Sequence, residues 1–461
     1  MMPLSIGDIV GAVGGRLVQG NPENTINGVS IDSRNIEKGN LFIPIVGERF
    51  DGHDFLDQAV DKGAGAILTA QDVSMPTSIS VIRVRDTREA LWKLAAYYRS
   101  LFDIPIISIT GSNGKTTTKD MIYAVLSSKY KVLKTQGNFN NDIGMPLTIF
   151  NLDNSYQMAV LEMGMSGFGE IDRLARIARP KVGVITNIGL SHIEKLGSQE
   201  NILKAKMEIL NYFEDDCIAI LNGDDRLLLS IKKEKLPFRL EYVGTTPNAD
   251  IVAENIVIKG EEGIAYDMHM GDTSYNISLK VPGVHNVYNS LMAIATGLIF
   301  DVPMSLIQEA LENFETGDMR LNVFNTQDGI KVIDDVYNAS PASMKAAIDI
   351  LHDFKGQRKI AILGDMLEMG EYAQGGHREV GKYLAEKGID ILITKGDLSE
   401  FIGRQAKDDG MSEQYIHHLK CNKDVINLLR TLVKEGDTIL VKGSRGMKME
   451  EIVQYFSKGR Q

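Results

Sequence analysis

Two cysteines, Cys217 and Cys421, are all that 461 residues contain, and they stand far apart and outside any metal-ligand spacing. That scarcity argues against a disulfide framework and a zinc cluster, and leaves two reduced thiols as the expectation. No apolar run approaches the roughly 20 residues that a membrane-spanning helix needs, so no membrane insertion is expected. The first fifteen residues lack a basic patch followed by an apolar stretch, so they do not read as a secretory signal. The chain is expected to be cytoplasmic and complete as written. Positive charge is in deficit as well. A formal net charge of -11 argues against a nucleic-acid groove as the main business. An anionic nucleotide stays compatible, because local backbone N–H groups and a few cations can hold phosphates. Short repeats, low-complexity tracts and charged tails are also missing, and with no sign of an obligate interface a monomer is expected.

What is present is an ordinary soluble composition, 43% hydrophobic and 24% charged, in a chain too long for one core. Two or three domains are expected. β-like runs at 26–31, 40–46, 66–68 and 81–84 accompany helical stretches at 54–62 and 87–98, the latter with a stripe of Ala90, Leu91, Leu94, Ala95 and Tyr98. Pro105 discourages helix, and a first boundary is placed at 103/104. Strand–helix alternation follows, with buried-strand runs at 106–110, 158–163, 182–187 and 217–222. Polar alternation over 250–279 predicts an antiparallel excursion, and 283–300 predicts a helix. A second break falls at 317/318. Strand–helix rhythm then restarts, with runs at 331–334, 359–363, 389–394 and 438–442. The fold class is therefore α/β: a small α/β unit (1–103), a central parallel-sheet unit (104–317) and a third, Rossmann-like unit (318–461).

The densest signal lies between the run 106–110 and the helix after it: Thr110-Gly111-Ser112-Asn113-Gly114-Lys115-Thr116-Thr117. Glycines let backbone wrap phosphate oxygens, and the following helix offers its free N–H groups and positive end. Lys115 would reach the β- and γ-phosphates of ATP, and the Thr116 hydroxyl would take Mg2+. The general pattern wants glycine at position 109, where this chain has Ile109, so the loop is a shortened one. Read blandly, it is a glycine turn with a solvated lysine.

Four further side chains have a plain reading and a chemical one. Glu162 closes an apolar run where α/β sites open; it suits Mg2+ and equally suits a cap or an ion pair. His192 reads alone as a surface loop residue, Lys206 as a solvated helical lysine, and Asn286 as a helix cap.

The shortened loop resembles that of the Mur ligases and their folylpolyglutamate synthetase relatives, which form amide bonds by phosphorylating a carboxylate with ATP. The resemblance extends almost end to end. It implies that Glu162 binds Mg2+, that His192 in Thr186-Asn187-Ile188-Gly189-Leu190-Ser191-His192 helps bind a second Mg2+, and that Lys206 is carbamylated beside the metal. Carbamylation needs a neutral amine, hence a lysine depressed by burial or neighbouring cations. In His285-Asn286-Val287-Tyr288-Asn289, the resemblance brings Asn289 to the adenine. Arg320 would reach the ATP phosphates from the hinge, although Gly317 lies further from it than the family pattern has. Asp335 would meet the ribose or adenine side.

Asp32-Ser33-Arg34 and Gly47-Glu48-Arg49-Phe50-Asp51-Gly52-His53 resemble the family's UDP-sugar domain, which implies Ser33, Arg34, Gly47 and Arg49 as diphosphate or uracil contacts; without the family they are a polar loop pair. The strings 337–344, 363–370 and 441–446 resemble the branch that joins D-alanyl-D-alanine to UDP-MurNAc-tripeptide, and the D-N-P-R motif of the branch adding a third amino acid is absent. Asn338, Ser444 and Arg445 are then implied in substrate binding. The other readings are addition of the third amino acid, or a non-catalytic nucleotide-dependent binding module.

Overall fold

The computed structural model describes residues 1–317 and 319–458; residue 318, where the second break falls, and 459–461 lie outside it. Every residue of the strands Ile106–Thr110, Met158–Glu162 and Val182–Ile185 is buried. Such strands need neighbours on both edges and helices on both faces. Among the described residues they sit in a nine-stranded sheet with Ile106–Thr110 between the other two, all parallel. The register sets Glu162 opposite Ile109 and Ile185 opposite Thr110, so three strand ends open side by side. Because the chain leaves Ile106–Thr110 toward one side and later returns to the other, the crevice lies at a topological switch point.

The helices Lys115–Ser127 and His285–Ile299 cover one face of this sheet. Gly297 permits their close crossing, since a Cβ there would come within 2.6 Å of Val125 Cγ1. The antiparallel excursion is present as Ile251–Ile258, Ile264–Met270 and Thr273–Leu279, with an irregular register between Glu254 and Val257. Asn286 does not cap its helix: the turn starts without a side-chain cap, and Asn286 Nδ2 donates to the Pro282 carbonyl instead.

In the first unit, five strands form a sheet in the order Arg16–Gln19, Ser80–Arg83, Ala66–Thr69, Asn40–Phe42, Gly28–Ser30. The run 26–31 is not one strand. Thr25–Ile26 pairs with Leu4–Ser5, whereas Gly28–Ser30 joins the larger sheet. The run 40–46 stops pairing as a strand at Phe42, ahead of Pro44, which has no N–H for a ladder. The stretch 54–62 is a short 3-10 turn, Gly52–Phe55, leading into the helix Leu56–Asp61.

The helix Thr87–Ser100 buries its predicted stripe against more than its own sheet. Leu91, Leu94 and Tyr98 share a continuous apolar cluster with Ile106, Met145, Ile149, Ile171 and Leu174 of the central unit. Tyr98 pins this joint: its hydroxyl donates to the Leu152 carbonyl (2.6 Å) and accepts from the Met2 N–H (2.7 Å). Trp92 adds an indole N–H to the Asp142 carbonyl at 2.7 Å, with the Arg173 guanidinium 4.2 Å above its ring.

The third unit is a six-stranded sheet in the order Asn322–Asn325, Lys331–Asp335, Thr438–Lys442, Lys359–Gly364, Ile391–Lys395, Ile416–Leu419; the first strand is antiparallel and the rest parallel. The run 389–394 is displaced to 391–395, because the Asp390 carboxylate turns to accept the Lys359 N–H. Both of its apolar clusters consist of its own residues. No helix among the described residues is long and apolar enough to cross a membrane.

Tyr98→Phe strands a buried carbonyl and an N–H at the first joint. It is expected to lower the unfolding free energy by about 1–3 kcal/mol, read as a lower urea midpoint; an unchanged midpoint would show that the hydroxyl is dispensable there.

Candidate active site

The loop after Ile106–Thr110 is held in shape before any ligand arrives. Gly111 has φ +153 and lies so close to Thr186 that a Cβ would collide with its hydroxyl. Gly114, at φ +81, starts the helix Lys115–Ser127, and a Cβ there would sit 2.8 Å from Asn289 Oδ1. The segment after Val182–Ile185 straps the loop down. The Ser112 N–H donates to the Asn187 carbonyl (3.0 Å), the Asn113 N–H to Asn187 Oδ1 (3.0 Å), and the Thr186 hydroxyl to the Asn113 carbonyl (2.6 Å). Lys115 folds back, its ammonium 2.8 Å from the Gly111 carbonyl.

Buried amides fix the far side. Asn289 Nδ2 donates to Asn286 Oδ1 (2.9 Å), which leaves Asn289 Oδ1 to accept from the Thr118 hydroxyl (3.0 Å). Glu162, 2% exposed, takes the Thr116 hydroxyl on one oxygen (2.7 Å) and Asn140 Nδ2 on the other (2.8 Å). A hydroxyl and a buried carboxylate at the mouth of a phosphate loop are hard oxygen donors. They fit Mg2+, which asks few protein ligands when phosphate oxygens and water complete its shell. Among the described residues no cluster of three or more His, Cys, Asp or Glu residues is placed to hold a metal ion by itself.

The remaining wall is crowded with cations. Lys206 is 1% exposed and makes no ion pair among the described residues; burial holds its amine well below the ordinary lysine range, and Lys115 pushes it further down. Burial lowers Lys115 too, opposed by Glu162 and reinforced by Arg320. Burial lowers His192 against the pull of Glu368, with Lys115 and Lys206 adding to the depression. As an ammonium, Lys206 would repel a metal ion; as a neutral amine it can take up CO2 and become a carboxylate donor. The surplus of positive charge is what a polyphosphate neutralises.

The third unit closes the cavity, whose volume is about 660 Å³. Arg320 stacks 4.0 Å above the Tyr337 ring. Asp335 pairs with buried Lys442, which also donates to the Asn338 carbonyl at 3.0 Å. Ser340 caps the helix Pro341–Asp353 and donates its hydroxyl to Asn113 Oδ1 of the phosphate loop at 2.9 Å.

Ser112 to Thr117, Glu162, His192, Asn289, Arg320, Asp335 and Asn338 all line this one cavity. Gly111 and Lys206 stand just behind its wall, as loop hinge and buried neighbour of Lys115. Ser33, Arg34, Gly47 and Arg49 lie away from it on the first unit. Ser33 is buried, its hydroxyl donating to Gln58 Oε1, and exposed Arg34 pairs with Asp32. The backbone of Gly47 is not left-handed; glycine is required at Gly52, where a Cβ would lie 2.6 Å from the Ile45 nitrogen. Ser444 and Arg445 are also outside the lining: the Ser444 hydroxyl accepts the Leu367 N–H, and Arg445 reaches Met319 Sδ and Glu450. Asn140, which lines the cavity, and Ser340, which holds Asn113, are contacts that no strand–helix rhythm marks; one sits in mid-loop between Val132–Lys134 and Gly144–Ile149, the other at a helix cap.

Fold and site together define a nucleotide-dependent carboxylate–amine ligase of the three-domain kind, and the chain belongs to the Mur ligase family. The model of the Mur ligase family catalytic domain matches residues 25–99, that of the Mur ligase middle domain 109–297, and that of the Mur ligase glutamate ligase domain 319–445. The UDP-N-acetylmuramoyl-tripeptide–D-alanyl-D-alanine ligase of Bacillus subtilis (strain 168) is 41% identical over 457 residues, 98% of either chain. A crystal structure of MurF from Acinetobacter baumannii superposes with a TM-score of 0.91 at 30% identity over 100% of both chains. MurF ligase from Thermotoga maritima in complex with ADP gives 0.82 at 30% identity, covering 94% of this chain and 97% of that one.

The unfolded chain keeps an ordinary lysine at position 206, so below that ordinary value it holds a proton the fold resists. Stability therefore rises with pH through the window between the depressed and the ordinary value. In CO2-free buffer at pH 7, Lys206→Met is expected to stabilise the fold by roughly 1–4 kcal/mol and to flatten this slope. Equal or lower stability of the variant, by denaturant titration, would count against an amine buried at a cost to the fold.

Proposed function

We propose that this protein joins D-alanyl-D-alanine to UDP-MurNAc-tripeptide at the expense of ATP, giving UDP-MurNAc-pentapeptide, ADP and phosphate, a step of peptidoglycan precursor synthesis. The observation that carries the reading is the convergence of the phosphate loop, Glu162 and the third unit's Arg320, Asp335 and Asn338 on one cavity. The full-length likeness to ligases of that name supplies the substrates. Residues 1–103 would bind the UDP-MurNAc-peptide through Ser33, Arg34, Gly47 and Arg49. Residues 104–317 would bind ATP, and 318–461 the dipeptide, with Asn338, Ser444 and Arg445 on that side. One chain supplies all three units, which supports a monomer as the working unit, and its nucleotide substrates support a cytoplasmic location.

The tripeptide's terminal carboxylate attacks the γ-phosphorus of ATP, the bond to the ADP oxygen breaks, and an acyl phosphate forms. The dipeptide's amine then attacks the acyl carbon, phosphate leaves and the ammonium nitrogen loses its proton. Negative charge crowds the oxygens between carboxylate and phosphoryl group. Lys115 and Arg320, together with the N–H groups at the helix start, 114–117, offset it. Thr116 and Glu162 would hold one Mg2+, and His192 with carbamylated Lys206 a second; the ions supply charge neutralisation and alignment. Asn289 would meet the adenine and Asp335 the ribose.

ADP release is expected only when ATP, UDP-MurNAc-tripeptide and D-alanyl-D-alanine are all present. Release driven by a single amino acid on the UDP-MurNAc-dipeptide would overturn the assignment. Running the assay with tripeptides carrying lysine or diaminopimelate identifies the third residue accepted. Lys115→Ala is expected to lower kcat by at least about 100- to 1000-fold; near-normal ADP release by this variant would refute the role of the loop.

A further inference from the structure

One contact across the cleft is left unused by the reaction just described. His192 of the central unit meets Glu368 of the third, Nδ1 to Oε2, at 2.7 Å. Both residues hold a left-handed backbone, φ 63 and φ 61, although neither is glycine. Such conformations persist where surrounding structure enforces them.

The enforcement is visible on both sides. Within the third unit, the Met366 N–H donates to His377 Nε2 (3.0 Å), whose Nδ1 faces the Ala373 carbonyl (2.6 Å). The next N–H, of Leu367, donates to the buried Ser444 hydroxyl (2.9 Å). The loop is thus anchored immediately before Glu368. Immediately after it, Gly370 (φ +50) lies against the central unit, where a Cβ would stand 3.2 Å from Glu194 Cβ and Cγ. The segment 366–370 is shaped to reach 192–194.

His192 lines the cavity and Glu368 does not. A carboxylate on one ring nitrogen keeps the proton there and leaves the other nitrogen as the acceptor. We propose that Glu368 is a positioning residue for the ligation: it holds the His192 ring with the proton on Nδ1 and Nε2 free, and it does so only while the third unit is seated. This rests on the ligase reading above and adds to it a dependence. The phosphate-handling side of the cavity is complete only when the unit that would carry the dipeptide is docked, so the tripeptide carboxylate is not activated in an open, water-filled cleft.

Three variants test it. Glu368→Ala is expected to lower kcat for ADP release by about 10- to 100-fold with the KM for ATP changed less than about 2-fold. Glu368→Gln, whose amide oxygen can still accept the Nδ1 proton, is expected to recover most of that loss. Gly370→Leu leaves the carboxylate in place but wedges the two loops apart, and is expected to reproduce the Glu368→Ala signature. In the ligand-free protein, hydrogen exchange of residues 188–197 should quicken in Glu368→Ala and Gly370→Leu and stay near wild type in Glu368→Gln. Wild-type turnover by Glu368→Ala, or a Glu368→Gln as impaired as the alanine variant, would overturn the proposal. Absence of ADP release by the wild-type protein would instead overturn the ligase reading, and the exchange comparison, made without substrates, separates the two failures.

Discussion

The cleft depends on how closely residues 110–114 lie against the neighbouring strand end. Gly111 has no Cβ, and the Thr186 hydroxyl occupies the space a Cβ would need. That approach lets Thr186 and Asn187 take up the loop's carbonyl and N–H groups, so the remaining N–H groups stay together at the helix start. Glu162 stands opposite Ile109 in the adjacent strand, which puts its carboxylate within reach of the first-turn hydroxyl of Thr116. Parallel register thus sets the spacing between the phosphate cradle and the oxygen donors.

Around this frame the charge is deliberately unbalanced. Lys115 has the Glu162 carboxylate on one side and Arg320 on the other, Lys206 has Lys115 beside it, and burial depresses both lysines. A protein interior relieves such crowding by depressing the amines or by taking the missing counter-charge from a ligand. A nucleotide triphosphate brings that charge, and the carbamate reading of Lys206 would bring more.

Much of this was legible in the chain because its signals are local. Residues 106–117 announce strand, turn and helix within twelve positions, and the stripe from Ala90 to Tyr98 marks a buried helix face. The runs 331–334 and 438–442, apolar at Val332–Ile333 and Ile439–Val441, read as strands for the same reason. Signals that depend on tertiary partners did not show. The strands Asn322–Asn325, largely exposed, and Ile416–Leu419, half-buried, are sheet edges with polar residues, so no apolar run marks them. The run 26–31 looks continuous but serves two sheets, since nothing within six residues specifies a change of partner. Asn140 and Ser340 acquire their contacts only when distant segments meet, and Ser444 turned out to brace a loop, not to line the cavity.

The two joints between the units are made of different material. The first unit and the central one share a single apolar cluster, with Tyr98 at its heart. The central and third units keep separate clusters and meet through polar pairs such as Ser340 with Asn113, Lys331 with Glu261, and His192 with Glu368. Water can stand in for a polar partner but not for an apolar one. In mechanical terms the molecule is therefore two bodies rather than three: a long block welded by shared apolar side chains, carrying the phosphate cradle, and a jaw seated on it mainly by polar pairs.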